Sequence, residues 1–229
     1  MSPTSTSNFE PSLAPLYERY PELLSLKFNI GEAAALLVDT YAKGGKLLVC
    51  GNGGSAADAD HIVGELMKGF VRRRPLAEDI KKQLLAVDTE FGGKLAESLQ
   101  SGLPAISLTQ HTALVSAFSN DVDPAMLFAQ QVLAYGKPGD LFWGITTSGN
   151  SRNVLYGAIA AKARGMKVIG MTGKSGGKMA PFCDVLLAVP ETETYKVQEL
   201  HLPVYHALCL AVEAAFLRAG DEVIGFPSR

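Results

Sequence analysis

Lys46-Leu47-Leu48-Val49-Cys50-Gly51-Asn52-Gly53-Gly54-Ser55-Ala56-Ala57-Asp58-Ala59-Asp60-His61-Ile62-Val63-Gly64-Glu65 is the stretch that decides the fold. A short apolar run predicts a buried strand. A glycine turn follows it, and then a helical pattern in which Ala59, Ile62, Val63, Leu66, Met67 and Phe70 form the apolar stripe. Strand, glycine-rich turn and helix together make an anion-binding device. Glycines let the backbone approach a ligand, and a helix N-terminus offers unpaired N–H groups and partial positive charge. Asp58, His61, Glu65 and Lys68 form a polar stripe on the same helix. A phosphate site beside reactive side chains outlines an enzyme acting on a phosphorylated small molecule.

The rest of the chain repeats the alternation. Near-continuous apolar runs at Lys46–Cys50, Ala105–Thr109, Asp140–Thr146, Lys167–Thr172 and Val185–Val189 suit strands of a parallel sheet covered on both faces. Helical patterns lie between them at Ser55–Phe70, Thr112–Phe118, Pro124–Tyr135 and Asn153–Arg164. A short one falls near Gly177–Ala180, and a long final helix spans roughly Tyr195 to Arg218. An additional N-terminal helix is expected from Pro11 to Ala42, stopped by Gly44-Gly45, after a flexible segment 1–10. The prediction is an α/β fold, a doubly wound layer sandwich, whose ligands bind at the carboxyl ends of the strands. Arg72 to Gly102 interrupts the pattern. It opens on Arg72-Arg73-Arg74-Pro75 and continues as one or two amphipathic helical pieces. The basic cluster reads as a solvated face, with a flap over an anionic substrate or a subunit contact as the alternatives.

Composition removes several classes. At 229 residues the chain holds one large or two small domains, and a net charge of −2 gives no bulk attraction to nucleic acid or acidic membranes. Three cysteines, an odd number, argue against a disulfide scaffold, and Cys50 and Cys209 read as small core residues in a reducing cytoplasm. No run approaches the ~18 apolar residues of a membrane span, and the N-terminus lacks a basic-then-apolar signal.

Three further groups carry chemistry. Thr146, Thr147, Ser148 and Ser151 surround Gly149-Asn150 directly after an apolar strand. One hydroxyl would suffice as a helix cap; four in that space suit a phosphate dianion. His61 and Glu65, four apart, project from one helix face, either as a solvated pair or as acid/base groups. On the last helix, Gln198-Glu199-Leu200-His201 precedes His206, and Gln198 and His206 share a broad face. A lone histidine in an apolar helix is usually core. Three of the four histidines nevertheless fall on two helices near strand ends. His61, Glu65, Gln198 and His206 offer donors that a divalent metal takes, although glutamine is an unusual zinc ligand.

These residues resemble the sugar isomerase (SIS) domain family, and closely its phosphoheptose isomerases. The resemblance runs from the N-terminal helix to the last, and is strongest in Cys50–Glu65, Thr146–Asn153, Thr172–Met179 and Val197–His206. It implies a flavodoxin-like five-stranded parallel sheet forming a single SIS domain over 11–229, with a longer helical insertion around 72–102. It implies an aldose–ketose isomerase converting sedoheptulose 7-phosphate to a glycero-manno-heptose 7-phosphate through an enediolate, with Glu65 and His206 as the acid/base pair. Substrate contacts are implied at Asn52, Gly53, Gly54, Ser55, Asn120, Asp121 and Gln198, with the phosphate on Thr146, Thr147, Ser148 and Ser151. One zinc per active site is implied on His61, Glu65, Gln198 and His206, as in family members that hold a metal, and no organic cofactor. The implied assembly is a homotetramer with active sites shared between subunits, with neither nucleic-acid nor membrane partners. Some relatives are instead non-catalytic, sensing phosphosugars or binding a replication initiator; retention of all four residues favours the enzyme. Tyr195 stands where the family has an acidic residue, and Gly69, beside Lys68, where it has an arginine. Those departures bear on the substrate more than on the reaction.

Overall fold

A computed structural model of the chain describes residues 9–216 and 222–223. Strands β1 (Leu47–Cys50), β3 (Ala105–Ser107), β4 (Leu141–Ile145), β5 (Lys167–Thr172) and β6 (Val185–Ala188) form one sheet in the order β3-β1-β4-β5-β6. Every pairing in it is parallel. Strand order therefore reverses at β1/β4. The carboxyl ends of those two strands, Cys50 and Ile145, open into the glycine turn and the hydroxyl-rich loop. This is the flavodoxin-like order, with its ligand crevice at the switch point.

The strands read as continuous apolar runs because both sheet faces are covered. Side chains alternate across the sheet. Leu47, Val49, Leu141, Trp143 and Ile145 pack under α1 (Glu10–Arg19), α2 (Lys27–Ala42), α3 (Gly54–Met67) and α9 (Thr194–Ala215). Leu48, Cys50, Phe142 and Val168 pack under α7 (Leu127–Tyr135) and α8 (Arg152–Ala163). Each such fully buried apolar side chain contributes about 1.5–3 kcal/mol of burial free energy. Cys50 and Cys209 lie in the core, as their apolar neighbours imply.

Four expectations need correction. The helix expected through Pro11–Ala42 is broken: α1 ends at Arg19 and a 3-10 turn, Pro21–Leu26, precedes α2. Pro21 disfavours a helical Tyr20, which sits at φ −133° and ψ 71°. The short helix near Gly177 is a 3-10 segment, Gly177–Phe182. Met67, assigned to the apolar stripe of α3, is 55% exposed. Finally, the arginine cluster is not uniformly a solvated face. Arg73 lies exposed, but Arg74 is 5% exposed, and its guanidinium donates to the carbonyls of Leu66 (2.7 Å) and Lys68. It thus satisfies acceptors left open at the C-terminus of α3.

Beyond Arg74 the chain builds α4 (Glu78–Val87) and α5 (Phe91–Ser98), packed on each other above a Pro75–Gln100 bridge. This accounts for the two amphipathic pieces. The pair β2 (Arg72–Arg73) and β7 (Glu222–Val223) forms a small antiparallel ribbon that local pattern did not reveal. Of the segment expected to be flexible, residues 1–8 lie outside the described residues, whereas Phe9 is buried and Glu10 begins α1. Leu217 and Arg218, expected in the last helix, also lie outside them. Among the described residues no helix is long and apolar enough to cross a membrane.

His201, grouped at the sequence level with the histidines near strand ends, is fully buried in α9. Burial pushes its pKa down to about 4. An unfolded histidine titrates near ~6.5. Between these values the unfolded chain binds the proton and the folded chain does not, so stability falls as pH drops from about 6.5 to about 4. The slope is up to ~1.4 kcal/mol per pH unit. Melting temperatures measured from pH 7 to 4.5 are expected to fall less steeply in His201→Leu, which cannot take the proton.

Candidate active site

The glycine turn is held by its own backbone and by α9. Gly53, the residue before α3, has φ +54°, a conformation that glycine adopts freely. At Gly54 a Cβ would come within 2.4 Å of Gln198 Nε2, so only glycine lets that carboxamide rest against the turn. The implied substrate residues Asn52, Gly53, Gly54 and Gln198 therefore form one surface, with Ser55 buried beneath.

The hydroxyl loop stands beside it. Thr146 is buried at the end of β4, and its hydroxyl meets that of Ser151 at 2.9 Å. Ser151 precedes the first residue of α8 yet makes no side-chain cap bond. Its hydroxyl is thus turned into the loop. Ser148 is exposed and accepts the Asn150 N–H at 3.1 Å, leaving its own proton to donate. The first turn of α8 carries no acidic residue, so its positive end is not neutralised. Asn153, missed at the sequence level, joins the two loops: its carboxamide exchanges hydrogen bonds of 2.9 and 2.8 Å with that of Asn52. Its place two residues after Ser151, the last hydroxyl of the motif, was the available signal. Asn120 and Asp121, at the exposed end of α6 (Thr112–Asp121), hydrogen-bond each other at 2.7 Å, and among the described residues no hydrogen bond or ion pair joins them to these loops.

A second cluster lies farther along α3 and α9. His61 Nε2 is 3.2 Å from Glu65 Oε1, and Lys68 Nζ is 2.9 Å from the other carboxylate oxygen. Lys68 thus supplies a cation to Glu65 from the position next to Gly69, where the resemblance implies an arginine. The His206 ring meets the His61 ring edge-on, with centroids 4.9 Å apart, and Phe70 lies 5.4 Å away on another side. Burial, aided by the charge of His61 and opposed by Glu65, lowers the His206 pKa, so the ring is neutral at pH 7. Its Nε2 is buried with no hydrogen-bond partner among the described residues. Tyr205, also missed, lies between the helices, with its hydroxyl 2.9 Å from His61 Nδ1. No local sequence pattern marks it, because its role depends on how α9 packs on α3.

The two clusters are distinct within one chain. At ~1.5 Å rise per residue, Glu65 lies about 16 Å along α3 from Gly54, and His206 about 12 Å along α9 from Gln198. His61, Glu65 and His206 adjoin, while Gln198 rests on the glycine turn. Zinc accepts these donor types, and the unpartnered His206 Nε2 is available to one. Among the described residues, however, no three His, Cys, Asp or Glu side chains form a ready-made metal site.

Comparison with known proteins places this geometry. A family model described as the SIS domain matches residues 22–88 and 87–173. The phosphoheptose isomerase of Thiobacillus denitrificans is 41% identical over 192 residues, covering 82% of this chain and 84% of that protein. A phosphoheptose isomerase structure from Francisella tularensis aligns with TM-score 0.70 at 32% identity, covering 91% of this chain and 95% of that one. The corresponding structure from Neisseria gonorrhoeae aligns with TM-score 0.67 at 34% identity, over 91% and 96%.

Proposed function

The chain belongs to the SIS-domain family and, within it, to the phosphoheptose isomerases, and on that premise we propose that it interconverts sedoheptulose 7-phosphate and the matching aldose phosphate. The observation that carries the reading is the His61–Glu65–His206 cluster, which a protein that merely bound phosphosugar would not need.

One of Glu65 and His206 removes the proton from C1 of the ketose, and the other delivers a proton to the C2 oxygen, giving the 1,2-enediol. The C1 hydroxyl proton is then withdrawn as the C1 carbonyl forms, and a proton is delivered to C2. Each group contributes on the order of 10²–10⁴ in rate. A neutral His206 suits either task, because it can give a hydrogen bond to an oxygen or accept a proton. The loop of Thr146, Thr147, Ser148 and Ser151 would take the phosphate, with Asn52, Gly53, Gly54, Ser55 and Gln198 along the sugar and Asn120 and Asp121 completing the pocket. Binding energy from that remote end aligns the reacting carbons.

An axial separation of about 16 Å between turn and carboxylate is more than a heptose phosphate spans, which supports a site assembled from neighbouring copies, as in a homotetramer. We extend the proposal to one zinc per site on His61, Glu65, Gln198 and His206, where it would polarise the substrate carbonyl. The proton transfers above do not depend on it. Dialysis against a chelator is expected to reduce activity, with zinc restoring it; unchanged activity would remove the metal. The three unpaired cysteines fit a reducing compartment and support a cytoplasmic placement.

Incubation with sedoheptulose 7-phosphate and assay for the aldose tests the proposal, which fails if no aldose forms. Ser148→Ala is expected to raise KM by about tenfold or more, the loss of one hydrogen bond to a charged group, and to weaken competition by inorganic phosphate. The melting temperature should hold, because Ser148 is exposed.

A further inference from the structure

Asn52 and Asn153 face each other between the glycine turn and the hydroxyl-rich loop. Asn52 Nδ2 donates to Asn153 Oδ1 at 2.9 Å, and Asn153 Nδ2 donates back to Asn52 Oδ1 at 2.8 Å. The two residues are not equivalent. Asn153 Oδ1 also accepts the backbone N–H of Val154 at 3.0 Å, in the first turn of α8. Asn52 is exposed, and among the described residues its carboxamide has no partner other than Asn153.

A backbone N–H can only donate. The end of the Asn153 carboxamide that meets Val154 N–H is therefore the oxygen, and the flip state of that side chain is decided. The reciprocal pair passes the decision on. Asn52 must set its nitrogen against the Asn153 oxygen and its oxygen against the Asn153 nitrogen. A carboxamide has two donor hydrogens and two acceptor positions. At Asn153 both acceptor positions are filled, by Asn52 and by Val154. At Asn52 one N–H and one acceptor position remain. Held in one orientation, they are presented without the cost of ordering an exposed side chain on binding.

The pair is uncharged and adjoins the loop of Thr146, Thr147, Ser148 and Ser151. A neutral donor and acceptor suit sugar hydroxyls and add no negative charge beside a phosphate. We propose that Asn153 is a positioning residue for sugar recognition: it orients the Asn52 carboxamide, which in turn meets a hydroxyl of the carbon chain attached to the phosphate. The inference rests on the reading of the two loops as one sugar-phosphate site, and it assigns the two asparagines different parts in it. Asn52 touches the sugar, and Asn153 acts through Asn52.

The test uses two ligands, inorganic phosphate and a heptitol 7-phosphate, the reduced sugar that cannot isomerise. Asn153→Ala is expected to weaken heptitol phosphate binding about fivefold, the scale of one neutral hydrogen bond, and to leave inorganic phosphate binding unchanged. Asn52→Ala should lose at least as much, and the double variant no more than Asn52→Ala alone, because the two residues act in series. In the wild type, heptitol phosphate should move the Asn52 side-chain ¹H–¹⁵N signals and inorganic phosphate should not. Unaltered affinity in Asn153→Ala would overturn the proposal. So would an equal loss for both ligands, which would make Asn153 a prop of the phosphate loop, or a larger loss in the double variant. Wild-type Asn52 signals moved as far by inorganic phosphate would overturn it whether or not the variants fold. A wild type that binds inorganic phosphate but not the heptitol phosphate would instead end the heptose phosphate reading. The Asn52 signals in ligand-free Asn153→Ala would still decide the coupling: shifted signals uphold it and unmoved signals overturn it.

Discussion

Glu65→Gln is expected to lower kcat by about 10²–10⁴ while leaving sugar-phosphate affinity within a few-fold of the wild type. The substitution is nearly isosteric and removes the charge and the exchangeable carboxyl proton. The side chain is 13% exposed, between His61 at 3.2 Å and Lys68 at 2.9 Å, so the amide keeps the volume and one hydrogen bond to the imidazole. The hydroxyl-rich loop proposed to take the phosphate stands beside the opposite end of α3, joined to it through Asn52 and Asn153, and is untouched. Steady-state kinetics together with direct binding of the sugar phosphate separate the two quantities. Equal losses in both would mean that Glu65 serves binding, and the mechanism would fail. Global unfolding as the cause is checked by the melting temperature, expected to stay within a few degrees because a part-exposed ion pair contributes little to stability.

Much of this arrangement is legible in the sequence, for identifiable reasons. The five strands can be read because burial on both faces makes them uniformly apolar, and Leu47 to Cys50 show it. The glycine turn is marked because φ +54° at Gly53 favours glycine and because a Cβ at Gly54 would displace the Gln198 carboxamide from the turn. His61 and Glu65 are found by spacing alone, since residues four apart share a helix face. What is not legible depends on packing between distant segments. The Asn52–Asn153 exchange spans 101 positions, and nothing local distinguishes it from two solvated turn residues. Arg74 has the same composition as its exposed neighbour Arg73 but caps α3 from inside. His201 and His206 look alike in sequence, yet one faces the core and the other faces His61 across the α3–α9 contact. The family resemblance supplied His206; periodicity did not.

That contact sets the second large effect. His206→Gln is expected to reduce kcat by about 10²–10⁴ as well, with a different signature. His206 lies against His61 and Phe70, and burial with the nearby His61 charge keeps it neutral, so it can accept a proton without first losing one. Glutamine can still donate a hydrogen bond but cannot titrate. With sedoheptulose 7-phosphate deuterated at C1, loss of the label to water reports removal of the carbon-bound proton separately from completion of the isomerisation. If Glu65 is the carbon base, wash-out persists in His206→Gln and vanishes in Glu65→Gln; if His206 is, the pattern reverses. Either outcome assigns the two roles. Full turnover in His206→Gln would remove His206 from the chemistry and leave its pairing with His61 as a packing contact alone.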